Sequence, residues 1–194
     1  TAALSEENQL FVWGSNSSNQ LGFPQKSVIP SPQQLHLPDN EIPVDVKFGL
    51  KFIAILTKSR KLFITGNLRS FLKSPHSNFS LITHNSIEWL HTNDISQFAC
   101  GQTHISFIRS DAHVIEGIGD NKFGQCARIE SCEKIIELKC GWTHVAYLTE
   151  SKRLYLYGRN NYGQLGNGNR AETNEPHCCS TFPVEDFSLG AEHG

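Results

Sequence analysis

Apolar positions along this chain come in short runs separated by polar turns, the signature of strands rather than of helices. The clearest stretch runs from Ile136 to Gly166. Ile136 and Leu138 alternate with polar neighbours, Val145 to Leu148 forms a short apolar run, and Leu154 to Tyr157 is rich in aromatic and apolar residues. The pattern predicts three short strands in a meander. The polar segment Thr149–Arg153 has the length of a hairpin loop, and Ser5–Gln9 has the same length and character.

This unit recurs four times. Its second half is cleanest at Leu154-Tyr-Leu-Tyr-Gly158-Arg-Asn160-Asn-Tyr-Gly163-Gln164-Leu165-Gly166, and the same order appears at Leu10 to Gly14, Asn16 and Gln20-Leu21-Gly22, and at Gly119, Asn121 and Gly124-Gln125. Its first half reads Gly101-Gln-Thr-His104, Gly141-Trp-Thr-His144 and Gly190-Ala-Glu-His193, with a weaker copy at Gly49-Leu-Lys-Phe52. From Gly49, Gly101 and Gly141 the next strand-ending glycine lies 17 or 18 residues on. A fixed period of this kind marks a repeat architecture, in which each unit covers its faces by stacking on neighbours. Repeat halves meet near residues 52, 104, 144 and 193, and one array spans 1–194.

These motifs resemble the regulator of chromosome condensation repeat family. The resemblance implies an all-β fold, a β-propeller of the seven-bladed type, of which the chain holds about four repeats. Thr1 to Glu6 aligns with Val145 to Glu150, and Gly194 follows a repeat histidine, so the expectation is an internal piece of a longer propeller. A four-bladed ring closed by the terminal strands is the alternative.

Repeat position assigns structural roles to Gly14, Gly101, His104, Gly141, His144, Gly158, Gly163, Gly190 and His193. Glycines supply positive φ or close backbone approach, and Asn160 bonds backbone groups in its turn. The histidines are types that do chemistry, but each occupies the same place in a different repeat, which argues for a buried, hydrogen-bonded structural role over a shared metal.

The largest break in the pattern follows Gly66. The chain there reads Asn67-Leu-Arg69-Ser-Phe71-Leu-Lys73 and runs on to Trp89, without the turn glycines and with added apolar residues. Phe71, Leu72, Phe79, Leu81, Ile82 and Trp89 form either a variant strand packed on its blade or an exposed loop with aromatic anchors. The residues singled out for partner binding are Arg69, Phe71, Lys73 and Trp89 in this stretch, with Trp142 and Glu192 beside the repeat histidines.

Composition excludes more than it assigns. Six cysteines lack Cys-x-x-Cys spacing, and the adjacent pair in His177-Cys178-Cys179 gives a poor tetrahedral bite, so no metal is expected. No hydrolase elbow, phosphate-cradling glycine loop or dinucleotide fingerprint is present, and no cofactor or small-molecule ligand is expected. Seven basic residues and no acidic one lie between Lys47 and Lys73, yet the net charge is −2 and no basic stripe crosses the repeats, which argues against nucleic acid. With no long apolar run and no signal-peptide pattern, the expected setting is cytoplasmic or nuclear.

Within the family, the motifs are most similar to secretion-regulating guanine-nucleotide exchange factor-like members. The resemblance implies a regulatory protein-protein interaction module, with a Ras-superfamily GTPase as candidate partner. Its alternatives are a true exchange factor, or an adaptor in tRNA modification or ubiquitin ligation. In the founding exchange factor, acidic and histidine side chains just before the repeat histidine contact the GTPase. The matching positions here are Lys51, Thr103, Thr143 and Glu192, so Glu192 alone keeps an acid.

Overall fold

A computed structural model describes residues 1–24, 26–72 and 79–193. The chain is all-β, and a 3-10 turn at Pro38–Asn40 is the single helical element among the described residues. It divides into two compact units, one running to Ile95 and the other beginning at Ser96, with the short stretch after Arg69 grouped with the second.

The first unit holds two antiparallel sheets. One orders β1 (Ala2–Leu4), β2 (Leu10–Ser15) and β3 (Val28–Leu35) consecutively. The other comprises β4 (Pro43–Phe48), β5 (Phe52–Thr57), β6 (Leu62–Gly66), β7 (Ser80–His84) and β8 (Ile87–Thr92), in the order β4-β5-β6-β8-β7. The second unit also holds two sheets. The first is built from β9 (Ile95–Cys100), β10 (His104–Arg109), β11 (Val114–Gly119) and β12 (Ile129–Glu130). The second is built from β13 (Ile135–Cys140), β14 (His144–Thr149), β15 (Leu154–Gly158) and β16 (Thr173–Cys178).

Hairpin chemistry recurs with the repeat. In the loops 5–9, 57–61 and 149–153 the first N–H donates to the fifth carbonyl at 2.9–3.0 Å, and the fourth residue (Asn8, Arg60, Lys152) takes a positive φ of 58–65°. This is the three-residue hairpin closed by a left-handed residue. Ser59 donates to Glu41, and Ser151 donates to Glu133, so the second and third of these loops are tied by a hydroxyl to the carboxylate before the sheet's first strand.

Each unit has its own core. Leu10, Val12, Leu21, Ile53, Ile55, Phe63, Ile87 and Trp89 pack together from both sheets of the first. Ile108, Ile115, Ile135, Leu138, Val145, Tyr147 and Tyr157 do so in the second. Tyr147 stacks on its cross-strand partner Tyr155 at 5.1 Å and 7°. Fully burying one such side chain stabilises by roughly 1.5–3 kcal/mol.

Two features differ from the sequence expectation. The best repeat has a fourth strand, β16, whose Thr-Asn-Glu-Pro-His-Cys sequence lacks apolar alternation because it lies at the sheet's exposed edge. The stretch after Gly66 leads into a hairpin, with β8 taking the fourth-strand place beside β6 and β7 added outside it. Trp89 is 1% exposed, edge-to-face with Phe63 at 6.3 Å, and Phe71 is 2% exposed. These two aromatics fill the interior and are not exposed anchors.

Candidate functional site

The Gly-x-x-His motif has a steric cause. The backbone N–H of Gly101, Gly141 and Gly190 donates to the carbonyl of His104, His144 and His193 at 2.8–2.9 Å. The tight turn folds each imidazole back over its own glycine, and a Cβ on that glycine would lie 1.9–2.1 Å from a ring atom. Gly49 and Phe52 repeat the arrangement with a phenyl ring. The glycine is therefore required by contact, since its φ is not in the left-handed region at Gly141.

His104 and His144 are fully buried. Burial, reinforced by repulsion from His144, lowers His104 to about 3; burial, reinforced by His193, lowers His144 to about 4. Both are neutral near neutral pH. Their ring nitrogens find no protein hydrogen-bond partner among the described residues, and each ring packs over the glycine three residues before it. No group of three or more His, Cys, Asp or Glu placed to hold a metal exists among the described residues.

The strand-ending glycines have a different cause. Gly14, Gly66, Gly119 and Gly158 take φ of 107–121°, which side-chain-bearing residues rarely adopt. Gly158 pairs with His144, and the following N–H, that of Arg159, donates to the Thr143 carbonyl at 3.0 Å. This sets Arg159 beside the Gly-x-x-His turn. Asn160, fully buried, then organises the next loop: its Oδ1 accepts the Leu165 N–H and its Nδ2 donates to the Ala171 carbonyl, each at 3.0 Å. Asn16 makes the same contacts with Leu21 and with the Phe23 and Lys26 carbonyls. Gln164 and Gln125 each accept a backbone N–H from two residues earlier, at Tyr162 and Phe123.

These turns assemble a surface in the second unit. The Arg159 guanidinium lies 5.1 Å from the Phe123 ring centroid and 5.6 Å from that of Tyr162, and pairs with Glu192 at 3.4 Å. Lys122 also sits over Phe123. Trp142 is locked by its backbone, accepting from Gln102 N–H at 2.9 Å and donating to the Ala191 carbonyl at 3.1 Å, while 49% of the residue stays exposed. Tyr162 is 62% exposed. A rigid surface of tryptophan, tyrosine and arginine is the composition of protein-interaction hot spots.

Of the residues singled out in the sequence, Trp142 stands exposed with its backbone bonded to Ala191, while Glu192 joins Arg159, Tyr162 and Phe123, which the motif reading passed over. The signal for the latter was present: an aromatic residue precedes Gly-Gln in both Phe123-Gly124-Gln125 and Tyr162-Gly163-Gln164. Arg69 is exposed, with its N–H bonded to Asn67 Oδ1, whereas Phe71 and Trp89 are buried. Lys73 lies outside the described residues. The basic run is partly neutralised from outside its own stretch, because Lys61 pairs with Glu41 at 2.7 Å and Lys47 with Asp45 at 3.1 Å.

Four antiparallel meanders joined by repeated glycine turns define the class: these are blades of a β-propeller. Regulator of chromosome condensation (RCC1) repeats match residues 7–56 and 152–194, with a further match over 135–164. The chain belongs to the RCC1 repeat family. It is 32% identical over its whole length to the secretion-regulating guanine nucleotide exchange factor of Bos taurus, covering 50% of that protein. It is 27% identical, over 97% of its length, to the ultraviolet-B receptor UVR8 of Arabidopsis thaliana, covering 46%. Yeast RCC1 (Prp20), solved bound to Kap60, superposes with a TM-score of 0.76 at 18% identity, over 97% of this chain and 49% of that one. The chain spans about half the length of these relatives and about a fifth of others that it matches.

Proposed function

We propose that this chain is a regulatory protein-protein interaction module whose partner docks on the loops carrying Trp142, Arg159, Tyr162 and Glu192. The observation that carries the reading is Arg159, placed over two aromatic rings and ion-paired to Glu192, with Trp142 exposed and its backbone bonded to Ala191, the residue before Glu192. Pre-organised aromatic and arginine groups bind without a large ordering cost. Arg69, exposed on the first unit, is proposed separately as a basic partner contact of that unit.

A small Ras-superfamily GTPase is the partner we propose, in a cytoplasmic or nuclear setting. Support comes from likeness to a protein named as a guanine nucleotide exchange factor. No helix of the described residues is long and apolar enough to cross a membrane. Exchange itself is the second reading. Glu192, the one acid at the positions implied by the founding exchange factor, is engaged by Arg159, which favours scaffolding over exchange. Nucleotide release from a panel of GTPases tests the two: unchanged release with stable capture supports the module, and release accelerated by wild type but not by Glu192→Ala establishes exchange.

A further inference from the structure

The outer edges of the four sheets are not alike. β3 carries Pro30 and Pro32, β16 carries Glu175 and Pro176, and β12 is two residues long and ends in Glu130. Prolines, charges and short length are the devices that keep a sheet edge from pairing with another strand. β7, Ser80-Leu-Ile-Thr-His84, has none of them: it is five residues long, without proline, glycine, lysine, arginine or acid. It is also the added strand, since β8 already fills the place beside β6 that β3, β12 and β16 fill in their own sheets. Among the described residues, β8 is the one strand that pairs with it.

The hairpin geometry fixes what this edge presents. Asn85 (φ 51°) and Ser86 (φ 61°) form a two-residue turn of the mirror-image type, closed by His84 and Ile87. In such a hairpin the closing pair is hydrogen-bonded, and bonding alternates along the ladder. Ile82 therefore bonds inward to Trp89, while Leu81 and Thr83, opposite Leu90 and Glu88, direct their N–H and C=O groups away from β8. Leu81 is 48% exposed, Thr83 is exposed, and Ile82 packs against the core of its unit.

We propose that β7 is a self-pairing edge, joined antiparallel to β7 of a second copy of this chain across a two-fold axis between the two Ile82 residues. In that register Leu81 of each copy lies opposite Thr83 of the other, so every outward N–H and C=O of these residues finds a partner. The two Ile82 side chains meet as a close non-hydrogen-bonded pair, on the face where each already packs on its own core. Self-pairing brings like residues together, and a charge-free strand is what permits it: Ser80 meets His84, and no like charges oppose one another. This inference is independent of the GTPase reading, because it uses a different unit.

The test is sedimentation equilibrium of the protein from about 1 to about 200 µM, with variants that spare the fold. Thr83→Pro removes an N–H that points to solvent, the position at which edge strands tolerate proline. Leu81→Lys places a charge on an exposed side chain. The expected result is a reversible dimer that Thr83→Pro weakens at least roughly tenfold. Leu81→Lys should also weaken it, and Leu81→Lys with Thr83→Glu in one chain should restore it, since each lysine then opposes a glutamate across the axis. Hydrogen exchange at the Leu81 and Thr83 amides should slow as concentration rises. A monomer throughout the range, a dimer indifferent to both single variants, or protection of those amides only on adding a heterologous extended peptide would overturn the proposal.

Discussion

The His144 ring lies against the α-carbon of Gly141, three residues earlier, so closely that no side chain fits on that glycine. The Gly141 N–H, bonded to the His144 carbonyl at 2.9 Å, fixes the turn that makes the contact. The pair is one device repeated in the second unit at Gly101 with His104 and at Gly190 with His193. It explains why the two residue types keep a constant spacing.

Gly141→Ala should destabilise the protein by roughly 1–3 kcal/mol, because a methyl group must displace a buried ring. In a His144→Ala background the same change should cost much less. A double-mutant cycle from thermal or denaturant unfolding checks this, and additive costs would show that the contact is not the cause.

Gly158 differs from Gly141 in mechanism, and the same assay separates them. At φ 113°, with the His144 Cα 2.8 Å from where a Cβ would stand, Gly158→Val should lower stability by at least roughly 1–3 kcal/mol. No double mutant at position 144 should relieve the φ strain. Gly163, at φ 78° with nothing near its missing Cβ, should tolerate Asn with a smaller loss.

The repeat and its turns were legible in the sequence because they are local. Gly-x-x-His, the five-residue hairpin loops and Asn160 with Gly-Gln-Leu-Gly each close within a few residues, so their chemistry is written contiguously. β16 and β3 escaped the apolar pattern because exposed edge strands have little to bury. Trp89 stayed open between packed strand and exposed anchor because its burial is set by β2, β5 and β6, far away in sequence. The site was half visible: Trp142 and Glu192 flank a motif, whereas Arg159 and Phe123 meet only through the fold.

Acid should unfold the protein through its buried histidines. The unfolded chain protonates His104 and His144 near 6.5, while the folded chain holds them neutral down to about 3 and about 4. Between those limits the unfolded state binds more protons, so stability is full above 6.5 and falls as pH drops, by up to about 1.4 kcal/mol per pH unit per histidine. Glu133, held below its ordinary range by the Ser151 and Thr149 hydroxyls, and Asp186, held there by Lys139, add losses only at lower pH. Urea unfolding from pH 7.5 to 5 should therefore show a slope that His104→Gln reduces. An unchanged slope would mean that His104 titrates alike in both states.

Asn160→Ala should loosen one loop more than the whole fold. The buried Leu165 N–H and the Ala171 carbonyl lose their partner, at a cost of about 1–3 kcal/mol. Hydrogen exchange should rise most at Leu165, with β13 and β14 little changed. Uniform loss of protection across the second unit would argue instead for a global role.

The loops around Arg159 are proposed to bind a protein partner. The most direct measurement is retention of the protein on immobilised Ras-superfamily GTPases in nucleotide-free, GDP and GTP forms, with Trp142→Ala and Tyr162→Ala alongside. At least one GTPase should retain the wild type, and each variant should weaken retention by roughly tenfold or more, at unchanged thermal stability. Retention by none of them, or retention untouched by both substitutions, would contradict it.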